Sequence, residues 1–239
     1  MDTIKFNKLN TLVVAHRGLS GIERENTNAA FVAAGNRSYY GIETDIHKTA
    51  DGKFVVCHDD NLKRIAGEDI NVESVSLEVL QNIILADKDG EKSRADLRLS
   101  TLENYISICK KYEKHCVLEL KSQFTEEECA RFIEIIRSFD YLDNVTFISF
   151  YYENLVKVRA ILPSQSVQFL FDKVENGIIE KLKEANIDVD VYHKGLTKEA
   201  VEEIHAAGLK VNCWTVDSKE DAERYAEWGV DFITSNILE

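Results

Sequence analysis

The sequence predicts an α/β fold, a TIM-type (β/α)8 barrel, on three observations. Strand-like and helix-like segments alternate nearly throughout. The β-rich runs number eight, near residues 12, 41, 116, 146, 167, 187, 210 and 231. The length, 239 residues, is one such barrels commonly have as a single domain. Alternation implies parallel strands with crossover helices, and eight such units imply closure. An open doubly wound sheet is the competing architecture. Neither G-x-G-x-x-G nor a P-loop follows the first β run, which counts against its nucleotide-binding form.

Taken in order, Thr11 to Ala15 is the first strand, and His16-Arg17-Gly18 opens a polar loop. Asn26-Thr27 caps a helix carrying Ala30, Phe31, Ala33 and Ala34. Gly41 to Ile46 is the second strand, and the tight-turn pair Asp51-Gly52 joins it to Lys53–Cys57 as a hairpin. Residues 59–99 are polar and weakly periodic, and they read as an inserted excursion with at most a short helix over 77–84. From Ser100 the alternation is regular. A helix burying Leu102, Tyr105, Ile106 and Cys109 feeds the strand Cys116 to Leu120. Thr125 to Glu128 has capping-box character ahead of a helix reaching Ser138. Strands over 145–149, 167–171, 187–191, 210–214 and 231–234 alternate with helices over 152–161, 176–184, 198–207 and 218–227. The chain stops soon after the eighth strand, so the final helix is expected to be missing or reduced.

The formal charge is −13, from 29 basic and 42 acidic residues. That balance repels a nucleic-acid backbone and an anionic membrane surface, so neither is an expected partner. Five cysteines, an odd number without a C-x-x-C pair, read as reduced core residues. The N-terminus lacks the apolar stretch of a signal peptide, and no run approaches a membrane span. The cytoplasm is the expected location.

Barrel chemistry gathers at the C-terminal ends of the strands. The candidates fall there: His16 and Arg17 after the first strand, Glu43 and Asp45 on the second, His58 after its hairpin, Glu119 and Lys121 ending the third. Residues two apart in a strand share a face, so Glu43 and Asp45 present carboxylates side by side. Like charges held so close point to a divalent cation between them.

Ala15-His16-Arg17-Gly18, Glu25-Asn26-Thr27, Gly41-Ile42-Glu43-Thr44-Asp45, Val55-Val56-Cys57-His58-Asp59 and Leu118-Glu119-Leu120-Lys121 occur in this order. With Thr49-Ala50-Asp51-Gly52, Trp214-Thr215-Val216 and Gly229 to Thr234, they make the chain resemble the glycerophosphodiester phosphodiesterase family. The resemblance implies a metal-dependent enzyme on this barrel, hydrolysing glycerophosphodiesters to glycerol 3-phosphate and an alcohol.

The residues suit that chemistry. A phosphodiester is anionic, so its site needs positive charge on the phosphoryl oxygens and an acid for the leaving alcohol. Glu43, Asp45 and Glu119 form an all-oxygen donor set that favours Ca²⁺ or Mg²⁺. Arg17 and Lys121 are assigned to the phosphate, His16 as general base and His58 as general acid. Glu25 and Asn26 are orienting residues, Asn26 reading equally as a helix cap, and Trp214 is a wall of the substrate pocket. His47 is read as facing away from Asp45; with His115, His193 and His205 it is left outside the site. Arg24 stands where the family usually has proline, and Ser235-Asn236 where it has an aspartate and its neighbour. Two other readings are a lysophospholipase D acting on single-chain lipids and a non-catalytic barrel binding a phosphorylated ligand.

Overall fold

Strand pairing closes the chain on itself. In the computed structural model, which describes residues 2–239, the strands are β1 (Leu12–Ala15), β2 (Gly41–Lys48), β3 (Phe54–Val56), β4 (His115–Leu120), β5 (Val145–Ser149), β6 (Ser166–Phe171), β7 (Asp188–Tyr192), β8 (Val211–Trp214) and β9 (Phe232–Ser235). The order β1-β9-β8-β7-β6-β5-β4-β2 returns to β1 through a β1–β2 pairing, giving a closed barrel of eight parallel strands. The ninth, β3, pairs antiparallel with the end of β2 and is the hairpin expected there.

The helices are α1 (Asn28–Gly35), α2 (Lys63–Ala66), α3 (Leu77–Gln81), α4 (Leu102–Lys111), α5 (Glu126–Ser138), α6 (Tyr152–Ile161), α7 (Ile178–Ala185), α8 (Lys198–Ala206) and α9 (Lys219–Trp228). Local chemistry starts several of them. Thr27, Thr101, Thr197 and Ser218 each accept a first-turn backbone N–H, and Thr125 with Glu128 forms a full capping box. No helix among the described residues is long and apolar enough to cross a membrane.

Period-2 alternation sorts each strand into two faces. Outward residues such as Ile42, Ile46, Leu118, Leu120 and Phe147 join Phe31, Tyr105 and Phe132 in the core under the helices. Truncating a residue like Phe132, fully buried there, costs about 3–5 kcal/mol. Inward residues meet inside the barrel, where Val14, Val117, Ile148 and Leu170 make a small apolar plug against Trp214. In the parallel register Asp45 lies opposite Glu119, so the acidic residues sit on the rim above this plug.

Residues 59–99 hold more structure than their weak periodicity suggests. They contain α2, a 3-10 turn at Val72–Ser74 and α3. Leu62, Ile65, Val72, Leu80, Leu85, Leu97 and Leu99 pack with Val55 and Cys57 of the hairpin in a core of their own. Helices of four and five residues are too short to print a 3.6-residue pattern; tertiary burial holds them. No helix follows β9 among the described residues. Ile4 bridges Leu238 there, tying the two ends together. All five cysteines are buried and free.

Candidate active site

The inward parity of β2 and β4 brings Glu43, Asp45 and Glu119 together, with one carboxylate oxygen of each within 4.8 Å of the others. All three are buried. Burial and mutual repulsion push Glu43 well above the usual carboxylate range and Glu119 up to about 8. Asp45 is also desolvated, but Arg17 and Lys121 outweigh that and hold it low. The metal-free cluster therefore keeps a proton at neutral pH. Asp45 Oδ1 is buried without a hydrogen-bond partner among the described residues. An orphaned oxygen, three converging carboxylates and no thiolate fit a hard, oxygen-liganded cation.

Two cations flank the cluster. Arg17 donates its backbone N–H to Glu43 Oε2 at 2.8 Å, and its Nε lies 3.6 Å from Asp45 Oδ2. This needs a positive φ of 54° at Arg17, in the turn that redirects the chain after β1. Glu25 accepts from Arg17 Nη1 at 2.8 Å. Burial opposes ionisation of Glu25, but Arg64 and Arg17 overcome it and bring its carboxyl to about 2. Lys121 Nζ is 2.9 Å from Glu119 Oε1 and 3.7 Å from Asp45 Oδ1. Asn26 donates to Asp45 Oδ2 and accepts from Thr44 Oγ1, both at 2.8 Å, while Thr27 is the helix cap.

The two histidines have different partners. His16 Nδ1 lies 2.8 Å from Asn236 Oδ1. The Asn236 amide nitrogen donates to Asp217 Oδ2 at 2.6 Å, so its oxygen must face His16, and His16 carries its proton on Nδ1. Its Nε2 then holds a lone pair, 3.9 Å from Glu43 Oε2. Burial and the Arg17 charge lower His16 to about 4, keeping the imidazole neutral. His58 Nδ1 instead faces a carboxylate, Asp59 Oδ1, at 2.7 Å. Burial lowers His58 as well, against the pull of Asp45 and Asp59 toward the charged form.

A cavity of about 260 Å³ runs from these groups into the barrel mouth. One side carries His16, Arg17, Glu43, His58, Glu119 and Lys121; the other is mostly apolar, with Ile148, Phe150, Leu170 and Trp214 around the buried Asp190. Phe150 meets the Trp214 ring edge to face at 5.7 Å, and Tyr192 packs on it at 5.5 Å. The sequence-chosen groups thus converge on one rim.

A family model described as the glycerophosphoryl diester phosphodiesterase family matches residues 16–238. The chain belongs to this family. A glycerophosphodiester phosphodiesterase of Caldanaerobacter subterraneus subsp. tengcongensis is 30% identical over 237 residues, 95% of each chain. One from Bacillus subtilis is 28% identical, covering 94% of this chain and 83% of its own. A solved structure of an Oleispira antarctica phosphodiesterase in complex with the product sn-glycerol-3-phosphate has a TM-score of 0.87 at 26% identity, covering 98% of this chain and 96% of that one. Within the phosphodiesterase family this chain's departures are accommodated locally. Arg24 donates to Asp87 O at 2.5 Å, fastening its loop to the excursion. Ser235 and Asn236 both bond Asp217, and through it Asn236 orients His16.

The face expected for His47 is corrected, while its place outside the cavity is kept. His47 is two residues beyond Asp45 and so shares its face; it is fully buried, with Nε2 3.4 Å from the His58 carbonyl and Nδ1 3.4 Å from Glu73. It supports the His58 backbone rather than reaching the cavity. Sequence reading noted Asn236 only as a departure from the family pattern and passed over Asp59, Arg64, Phe150 and Asp217. Asp59 adjoins a candidate histidine and Phe150 directly follows a strand end, so both carried a signal. The others are joined to the site only by the fold.

Proposed function

We infer that this phosphodiesterase-family chain is a metal-dependent glycerophosphodiester phosphodiesterase, releasing sn-glycerol 3-phosphate and an alcohol. The observation that carries this is a cluster of three buried carboxylates, two of them lining one cavity with two cations and two differently partnered histidines. Glu43, Asp45 and Glu119 hold the cation, Ca²⁺ or Mg²⁺, which when bound neutralises charge on the phosphoryl group. Arg17 and Lys121 take the remaining phosphoryl oxygens, the first as a planar fork and the second as a point charge. His16, kept neutral with Nε2 free, accepts the proton of the attacking hydroxyl. His58, backed by Asp59, gives its proton to the departing alcohol as the P–O bond breaks. Trp214 walls the organic part of the substrate, with Phe150 beside it.

The exposed aromatics Phe150 and Tyr151 are the one feature favouring a single-chain lipid. The whole chain acts as one catalytic unit, with residues 59–99 an insert on its barrel. Five free cysteines support work in the reducing cytoplasm. The test is release of glycerol 3-phosphate from glycerophosphocholine, glycerophosphoethanolamine and a lysophospholipid, before and after EDTA and with Ca²⁺ or Mg²⁺ restored. Metal-dependent product from the first two is expected. Product from the lysophospholipid alone would transfer the activity to lipids, and none from any would refute the enzyme.

A further inference from the structure

Arg64 sits on α2, outside the barrel, between two carboxylates that each serve a different group in the cavity. Its Nη1 and Nη2 donate to Glu25 Oε2 and Oε1, both at 2.8 Å. Its Nε donates to Asp59 Oδ2 at 2.7 Å, and Nη2 also reaches Asp59 Oδ1 at 3.1 Å. Glu25 in turn grips Arg17, and Asp59 grips His58. One continuous chain of charge-assisted hydrogen bonds therefore runs from the phosphate-binding guanidinium to the proposed proton donor. A planar guanidinium can hold two carboxylates at once with paired N–H donors; a lysine ammonium is a point charge without that fork.

We propose that Arg64 is a positioning residue that aligns His58 with the phosphate grip of Arg17, resting on the phosphodiesterase reading of the site. A single exposed ion pair such as Lys92–Glu68 makes one contact and adds little to stability. Arg64 makes four, is about half exposed, and both its partners end on cavity groups. Removing it leaves Glu25 and Asp59 without their shared counter-charge, so both ends of the chain loosen. The excursion then does more than cover the barrel: it holds two catalytic groups in register.

The experiment compares wild type, Arg64→Ala and Arg64→Lys on two esters of glycerol 3-phosphate, choline and p-nitrophenol, with thermal unfolding of each protein. Nitrophenolate departs without a proton, so only the choline ester needs His58. Arg64→Ala should lower kcat on the choline ester by about 10–100-fold, the usual effect of losing an orienting partner. The loss on the nitrophenyl ester should be smaller, guanidinium ion should restore part of it, and Arg64→Lys should resemble Arg64→Ala. Nitrogen-15 spectra should show the His58 Nδ1 proton held against Asp59 across the imidazole titration in wild type, with Nε2 carrying the transferable proton, and mixed neutral tautomers in Arg64→Ala. Equal losses on both esters, or unchanged kinetics with an unchanged His58 spectrum, would overturn the proposal. A wild type inactive on both esters would refute the enzyme reading instead, and the His58 spectrum would then decide the role of Arg64 alone.

Discussion

The two sides of the barrel mouth are built from the same kind of strand end and yet differ completely. Around β1, β2 and β4 the rim carries His16, Arg17, Glu43, Asp45, Glu119 and Lys121, each tied to at least one charged or amide partner. Around β5, β6 and β8 it carries Ile148, Phe150, Leu170 and Trp214, held by ring packing and apolar contact. On the proposed mechanism one rim divides a phosphodiester: the charged side would take the phosphoryl group, and the aromatic side would enclose what is esterified to it.

The sharpest way to break this division is Glu43→Gln. It replaces a carboxyl whose ionisation burial, Asp45 and Glu119 all oppose, so the metal-free protein should unfold at the same or higher temperature, while turnover falls by about 10²–10³-fold or more. Wild-type turnover in this variant, measured with saturating Mg²⁺ or Ca²⁺, would remove the acidic cluster from the chemistry. The histidines come next. His16→Ala should lose about 10²–10⁴-fold on choline and nitrophenyl esters alike, whereas His58→Ala should lose that much only on the choline ester. The reverse pattern would exchange the base and acid roles. On the aromatic side effects should be smaller and of another kind: Trp214→Ala or Phe150→Ala should raise KM by roughly 2–10-fold with kcat nearly kept. A large fall in kcat there would mean the apolar wall takes part in the chemistry.

The same contrast explains what could be read in advance. The strand ends and the acidic cluster were legible because period-2 spacing carries side-chain direction: Ile42 and Ile46 face out, Glu43 and Asp45 face in. Misapplied to His47, that rule put a buried residue on the wrong face. Glu119 lies far along the chain but ends a strand, so the barrel rule found it. Asn236 reaches His16 across 220 positions and Arg64 reaches Glu25 across 39, with no spacing that marks either pair. Such orienting contacts exist only once the barrel closes and the excursion folds onto it. The short helices of that excursion were hidden for a related reason, since Leu62, Ile65 and Leu80 are held by tertiary packing rather than by a repeating local pattern.

The claim at the centre of this account is that Glu43, Asp45 and Glu119 form one cation site that switches on phosphodiester hydrolysis. Calorimetric titration of EDTA-treated protein with Mg²⁺ or Ca²⁺, at pH 7 in buffers of different ionisation enthalpy, tests it most directly. With Glu43 and Glu119 both held above the usual carboxylate range in the metal-free cluster, binding the ion must displace a proton from it. One ion should therefore bind with proton release, affinity should rise with pH, and glycerophosphocholine turnover should return in step with occupancy. Full turnover in EDTA, or equal binding by Glu119→Gln without proton release, would contradict the account.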